Sequence, residues 1–304
     1  MAEGSGRGDG GASNAALGDL REFIQQARDA GDLVVVKGAD PHLEMGVIYE
    51  LSQEKKYPPV LLFEDMVGCD PGFRVLSNVR NQRFMVGDLD LAALKAFRRR
   101  PKDRQEPIPP RELNTGPVFE NLDEGDAVNI LKFPCPYWHQ GDGGAYIGTE
   151  CLVITKDPDS DWVNVGTYRV KVHDKKTLTV FIEPGKQGDI IRRKYWARGQ
   201  ACPMAISVGQ APVLGSVAGT AYRPGQSEFS EAGGRLGRAI DVVSAKLTRL
   251  PIPERDNGDV TTSRIIIYAV RPFHWKDEFP KANEADREFA ESVRKKWKGR
   301  LPFL

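Results

Sequence analysis

With 304 residues, 43 basic and 42 acidic side chains and a formal charge of +1, the chain is long enough for roughly two domains. Its balanced charge gives no global field that would favour nucleic acid or an anionic membrane. No apolar run reaches the ~18–20 residues that a bilayer span requires, and the Gly/Ser-rich opening "MAEGSGRGDGGASNAA" has no secretory h-region and reads as a disordered tail over 1–16.

After the tail, Leu17, Leu20, Phe23, Ile24 and Ala27 fall on one helical face, Gly31 offers a stop, and Val34–Val36 start a strand. A second helix is expected over about 43–54, then a buried strand in "PPVLLFEDM", then a third helix in "DLDLAALKAFRRRP" that Pro101 halts. The basic run "RRRPKDR" reads as solvated cations near that helix's C-terminus rather than a phosphate site. Residues 17–105 thus form an α/β unit, and the Pro-rich "EPIPPREL" (106–113) reads as a linker.

The pattern then changes. "ECLVIT", "WVNVGTYRVKV" and "TLTVFIE" are strand candidates separated by the turns "KDPDSD" and "HDKK", as in an antiparallel meander or barrel wall. "QGDIIRRKYWARGQ" reads as a helix with Ile190, Ile191 and Tyr195 as its apolar contacts, and "PMAISVG" as a buried strand. Cys202, just before it, reads as a small buried residue rather than a nucleophile. A strand in "TTSRIIIYAV" and a charged amphipathic helix in "ADREFAESVRKKWKG" close the chain.

Cys69, Cys135, Cys151 and Cys202 include no C-x-x-C pair, which argues against a zinc ribbon or a disulfide framework and suits a reducing cytosol. The four histidines show no H-x-H or H-E-x-x-H spacing, so an all-protein zinc site is not expected. Three other places concentrate chemistry. Asp142, Gly143 and Gly144 form a loop in which backbone can approach a ligand closely. "EPGKQGDIIRRK" leads into a helix N-terminus, where free N–H groups favour an anion such as phosphate. In "DSDWVNVGTYRVKV", Asn164 and Arg169 sit five apart and would point to opposite faces of a regular strand, so a shared site calls for a bulge or a close ligand approach at Gly166. The sequence lacks G-x-x-x-x-G-K-[ST], and "GTAYRPG" is no G-x-G-x-x-G, so neither Walker nor Rossmann chemistry is supported.

Taken in order, "PYWHQGDGGAYIGT", "DPDSDWVNVGTYRVKVHD", "EPGKQGDIIRRKYWARGQACPMAISVGQAP", "SEFSEAGGRLGRAIDVV" and "VTTSRIIIYAVRPFHWKDEFP" resemble the UbiD family of decarboxylases, which use prenylated FMN. The resemblance implies an α/β (α+β) fold: an N-terminal α/β domain over 17–105, an incomplete split β-barrel that binds the flavin over 114–253, and over 260–304 the remnant of a C-terminal α/β domain. It implies Arg169 as the catalytic residue that holds a substrate carboxylate. It implies cofactor binding by Asn164, Gly166, Thr167, Tyr168, Arg169, Lys186, Gln187 and Glu228. Asn164 and Glu228 would be metal ligands toward Mn2+ or Mg2+, with K+ as a further ion. Gln187 stands where many members carry a metal-binding His and would offer a weaker amide oxygen.

The activity implied is reversible, non-oxidative decarboxylation of an aromatic or α,β-unsaturated acid. A flavin prenyltransferase would supply the cofactor, the assembly would be a homo-oligomer, and the location would be the cytoplasm. After "LTRLPIP" (247–253) the resemblance lacks the segment bearing two glutamates that complete a Glu–Arg–Glu network, which implies an internal deletion after Pro253. Two alternatives follow: a flavin-binding or assembly subunit impaired in catalysis by loss of the acid glutamates, and, ranked lowest, a different flavin enzyme on a split barrel. The strand "RIIIYAV" would then lack neighbours, and aggregation or obligate association is expected.

Overall fold

The computed structural model describes residues 18–79, 106–245 and 287–304, with the backbone of Pro251–Pro253 and Ile265–Ala269. Helix α1 (Leu20–Asp29) begins at Asp19, whose carboxylate accepts the Arg21 N–H at 2.7 Å. It buries Phe23, Ile24 and Ala27, the face that the 3–4 spacing predicts. Gly31, at φ +71°, takes the left-handed conformation that turns the chain into strand β1 (Leu33–Lys37). Helix α2 (Glu44–Gln53) then leads to strand β2 (Val60–Glu64), parallel to β1, and strand β3 (Val75–Ser77) joins β2 antiparallel. The helix expected over "DLDLAALKAFRRRP" lies outside the described residues.

The second unit contains β4 (Arg111–Leu113), β5 (Tyr146–Lys156), β6 (Val163–Val172), β7 (Leu178–Val180), helix α3 (Gln187–Ala197), β8 (Met204–Val208), helix α4 (Pro212–Ala218), helix α5 (Glu228–Leu236), β9 (Asp241–Ser244) and β10 (Pro251–Pro253), followed by β11 (Ile265–Ala269). The main sheet has the order β11-β8-β5-β6-β7 and is antiparallel throughout. The expected meander is therefore present. Part of the expected linker is itself a strand: β4 pairs parallel with β9, and Arg111 grips Asp241 through two bonds of 2.6 Å. Two Gly-containing stretches to which no element was assigned form α4 and α5, with Gly215 close against the Glu150 side chain and Gly233 against the Ile108 carbonyl.

One sheet face carries Leu152, Ile154, Val165 and Ala205 against Val213, Leu214, Val217, Phe229 and Ala232 of α4 and α5. The other buries Cys151, Val153, Val170, Val172 and Ile206 with Ile130. On α3, Ile191 is fully buried and Tyr195 half-buried, but Ile190 is 39% exposed and is no core contact. Cys202 is buried, and burial pushes its thiol up to about 12, as befits a small core residue rather than a nucleophile.

Of residues 260–304, the described parts join the other two units. β11 is an edge strand on β8. Helix α6 (Arg287–Trp297) packs Val293 and Trp297, with Leu301 and Phe303, into the core formed by α2, β1 and β2. Glu44 fastens it, accepting Lys296 Nζ at 2.6 Å and Trp297 Nε1 at 3.0 Å.

The two units meet at "PYWHQ". The Leu43 N–H donates to the Tyr137 carbonyl at 2.7 Å, the Tyr137 N–H to the Pro41 carbonyl at 3.0 Å, and the His42 ring stacks on Tyr137 with centroids 5.2 Å apart. His139 Nε2 lies 2.9 Å from Glu50 Oε1. Gly46 of α2 sits so close to this loop that a Cβ there would run into the Trp138 carbonyl.

Candidate active site

Residues Asn164, Val165, Gly166, Thr167 and Tyr168 pair without interruption with Thr155, Ile154, Val153, Leu152 and Cys151. The register shifts fall on β5, between Tyr146 and Gly148 and between Gly148 and Cys151, the second opposite Arg169. β6 is therefore regular at Gly166, and Asn164 and Arg169 stay on opposite faces. Gly166 does mark a close approach, but by the ring of Tyr168: a Cβ at Gly166 would lie 2.5 Å from Tyr168 Cε2. The ring lies down over the glycine and carries its hydroxyl to the start of α3, where a Cβ on Gly188 would stand 3.0 Å away.

What joins the two faces is an open strand edge. β7 pairs only with Val170–Val172, and α5 comes to the edge further down, where Glu228 Oε2 accepts the Val165 N–H at 3.1 Å. The Arg169 carbonyl points to the same side and accepts the Phe181 N–H at 3.3 Å. Alternation along an antiparallel strand puts the N–H and C=O of Thr167 on this edge between them, whereas those of Gly166 and Tyr168 face β5. Of the three residues expected to line a flavin through their backbone, Thr167 is the one that presents its polar groups outward.

The polar side chains at this edge are incompletely satisfied. Asn164 is 2% exposed and its Nδ2 has no partner; Thr155 Oγ1, on the facing residue of β5, is buried without one as well. Glu228 is 2% exposed, and burial pushes its carboxyl up to about 7 against the pull of N–H donors that include that of Val165. Glu231, one turn on, is buried beside it and pushes in the same direction. Burial also raises the Tyr168 hydroxyl, opposed by the Gly188 N–H and the Asn164 side chain that it meets.

At the start of α3, Gln187 Nε2 donates to the Tyr222 carbonyl at 2.8 Å, while Lys186 extends into solvent 3.6 Å from Glu183. The buried Asp189 accepts the Gly185 N–H at 2.9 Å and holds Arg192 and Arg193. Despite its burial, these donors keep it below the usual carboxylate range. Arg169 is exposed at the far end of β6, where its charge acts on the buried Tyr146 hydroxyl under the Asp142–Gly144 loop. Asn164, Gln187 and Glu228 thus gather at one end of the open edge, and Arg169 stands at the other. Tyr146, Thr155 and Glu231 were not anticipated; for Glu231 a signal existed, its i+3 spacing from Glu228 on one helix.

This set fits an anionic ligand with an accompanying cation. An orphaned amide, an edge N–H and a helix N-terminus suit phosphate oxygens, and a buried carboxylate that no ion pair balances among the described residues suits a hard cation. Among the described residues no cluster of three or more His, Cys, Asp or Glu could hold a metal by itself, so amide, carbonyl or phosphate oxygens would have to complete a coordination sphere.

Residues 111–257 match the family described as "3-octaprenyl-4-hydroxybenzoate carboxy-lyase Rift-related domain", and residues 24–88 match its N-terminal domain. The chain is 31% identical over 258 residues to the pyrrole-2-carboxylic acid decarboxylase of Pseudomonas aeruginosa, covering 79% of this chain and 51% of that protein. It is 26% identical over 260 residues to ferulic acid decarboxylase 1 of Saccharomyces cerevisiae, with the same 79% and 51% coverage. Among solved structures, the closed form of vanillic acid decarboxylase from Sedimentibacter hydroxybenzoicus superposes with a TM-score of 0.70 at 26% identity, over 77% of this chain and 52% of that one. An evolved dimeric form of the UbiD-class enzyme HmfF from Pelotomaculum thermopropionicum, in complex with prFMN, gives 0.63 at 25% identity, over 77% and 54%. The chain spans about half the length of the curated relatives it matches.

Proposed function

The chain belongs to the UbiD family, and on that premise we propose that it is a carboxy-lyase acting on an aromatic or α,β-unsaturated carboxylic acid with prenylated FMN at the open edge of β6. The observation that carries this reading is the gathering of Asn164, Gln187, Glu228 and the outward backbone of Thr167 along one unpaired stretch of strand. A ligand lying along an edge meets both faces of the strand, so Asn164 on one face and Arg169 on the other can serve one molecule without any bulge between them.

When bound, the flavin would supply the electron sink for loss of carbon dioxide. The chain's own residues bind and orient. Asn164 and Glu228, with Gln187 as a weaker oxygen donor, would hold Mn2+ or Mg2+ against the flavin phosphate, with K+ as a further ion. The N–H groups of Thr167 and of the first turn of α3 would take phosphate or ring oxygens. Lys186 would contribute charge at longer range. The planar guanidinium of Arg169 would receive the substrate carboxylate in a two-point grip, fixing its direction relative to the ring and neutralising its charge. Under this reading the cofactor comes from a flavin prenyltransferase, and the enzyme works as a cytoplasmic homo-oligomer.

The test is expression beside a flavin prenyltransferase, followed by assay of carbon dioxide release and of deuterium incorporation into product. The acid panel would include pyrrole-2-carboxylate, ferulate and vanillate, the acids named for the relatives. Turnover of any of them supports a carboxy-lyase. Bound prenylated flavin with no exchange would instead favour a flavin-binding or assembly subunit that lacks the acid glutamates, a reading kept because the chain spans about half its relatives' length.

A further inference from the structure

We propose that Glu231 supplies a second carboxylate to the cation position beside Glu228, so that this chain binds a divalent ion without the flavin. The inference rests on the cation–phosphate reading of this site and goes beyond it in what it requires of the protein alone. Glu228 and Glu231 stand at i and i+3 at the start of α5, so they share a side of the helix. Both are buried, at 2% and 9% exposure, and neither is balanced by an ion pair among the described residues. Two like charges buried together without a counter-charge are costly, and a cation between them removes the cost.

Independent features at the same place point to a ligand. The Asn164 amide, 2% exposed, leaves Nδ2 without a partner while its other contact is the Tyr168 hydroxyl, on which the Glu228 charge also acts. A half-turn of that amide exchanges its nitrogen for its oxygen and aims an oxygen donor into the orphaned position. On the far side, Glu231 acts on the Tyr222 hydroxyl, and the Tyr222 carbonyl holds Gln187 Nε2. The Gln187 side chain is thus tied to the backbone of the tyrosine whose hydroxyl Glu231 acts on.

The available donors are therefore two carboxylates and the Asn164 amide oxygen, all hard, with a formal ligand charge of −2. Oxygen sites of this kind take Mg2+, Mn2+ or Ca2+, and their affinity rises with the number of carboxylates. With one carboxylate, a site must borrow charge from the flavin phosphate; with two, the protein neutralises the ion itself.

The experiment is a titration of the flavin-free full chain with Mn2+, following loss of the free-ion electron paramagnetic resonance signal, on the wild type, Glu231→Gln and the exposed control Glu124→Gln. We expect saturable binding of one ion by the wild type and by Glu124→Gln, and at least a ~10-fold weaker affinity for Glu231→Gln, with all three showing the same circular dichroism. Binding that appears only after FMN is added overturns the inference and leaves the cation–phosphate reading standing. No binding with or without FMN overturns both. Unchanged affinity in Glu231→Gln removes Glu231 from the site. The wild-type titration decides the flavin-independence claim even if the variant does not fold.

Discussion

Glu44 and Glu228 each open a helix, each is nearly inaccessible to water, and their surroundings drive them in opposite directions. Burial raises both. At Glu44, the Asp40 N–H, Lys296 Nζ and Trp297 Nε1 more than offset it and hold the carboxyl below its ordinary range. At Glu228 the balance is left to backbone N–H donors, among them that of Val165, and the carboxyl is pushed up to about 7. A buried acid whose charge a lysine and side-chain donors of a distant helix balance is a structural clamp, here the one that fastens α6 to α2. A buried acid beside an orphaned amide and an open strand edge has no such counter-charge among the described residues.

The comparison can be broken in several ways. The largest effect is expected in turnover at the ligand-facing end. Arg169→Ala, made in chain loaded with prenylated flavin, should lower exchange by ~10²-fold or more while its melting curve stays unchanged. Loss of stability instead would make Arg169 structural. At the clamped end, Gly46→Ala should destabilise by about 1–3 kcal/mol or more, because the added methyl meets the Trp138 backbone. Urea unfolding measures this, and a neutral result would mean that the two units do not dock as described.

The two acids themselves should differ in sign. Glu44→Ala should cost about 2–3 kcal/mol, since it strands the Asp40 and Trp297 donors. Glu228→Gln in metal-free chain should be neutral or stabilising by about 1 kcal/mol, because it removes an unbalanced buried charge. Equal destabilisation by both would erase the distinction.

The smallest effect is the response to acid. Glu44 has a lowered carboxyl in the folded state, so its contribution is fully present above the ordinary carboxylate range and is lost as pH falls through the folded value. Protease cleavage near α6 should therefore increase on acidification below about pH 4.5 in the wild type, and Glu44→Gln should show less of this pH dependence.

Much of this architecture could be read from residue pattern. The face of α1 follows from a period of 3.6, and β2 and β5 follow from short apolar runs bounded by turn residues, which are buried on both sides. What escaped was set by contacts between distant segments. Arg111–Leu113 is a strand only because Asp241 and its neighbours arrive beside it. Ile190 looks apolar-facing on a helical wheel, yet α3 turns Ile191 inward. At the site, the resemblance named Asn164, Arg169 and Glu228, while residue spacing called for a bulge or a close ligand approach at Gly166, and β6 has no bulge there. The open edge that reconciles those faces depends on how far β7 extends, and no local motif encodes that length. Nor could the sequence show that "PYWHQ" docks the two units, since its partners lie about ninety residues earlier.

The most direct test of the account is the flavin content of purified chain after expression with a flavin prenyltransferase, read by absorbance and mass spectrometry for the wild type, Asn164→Ala, Glu228→Gln and Glu44→Gln. The account predicts about one prenylated flavin per chain in the wild type and in folded Glu44→Gln, and loss of most of it from the two edge variants. Retention of flavin by Asn164→Ala and Glu228→Gln, or a wild-type chain that never acquires it, would contradict the assignment of the β6 edge as the cofactor site.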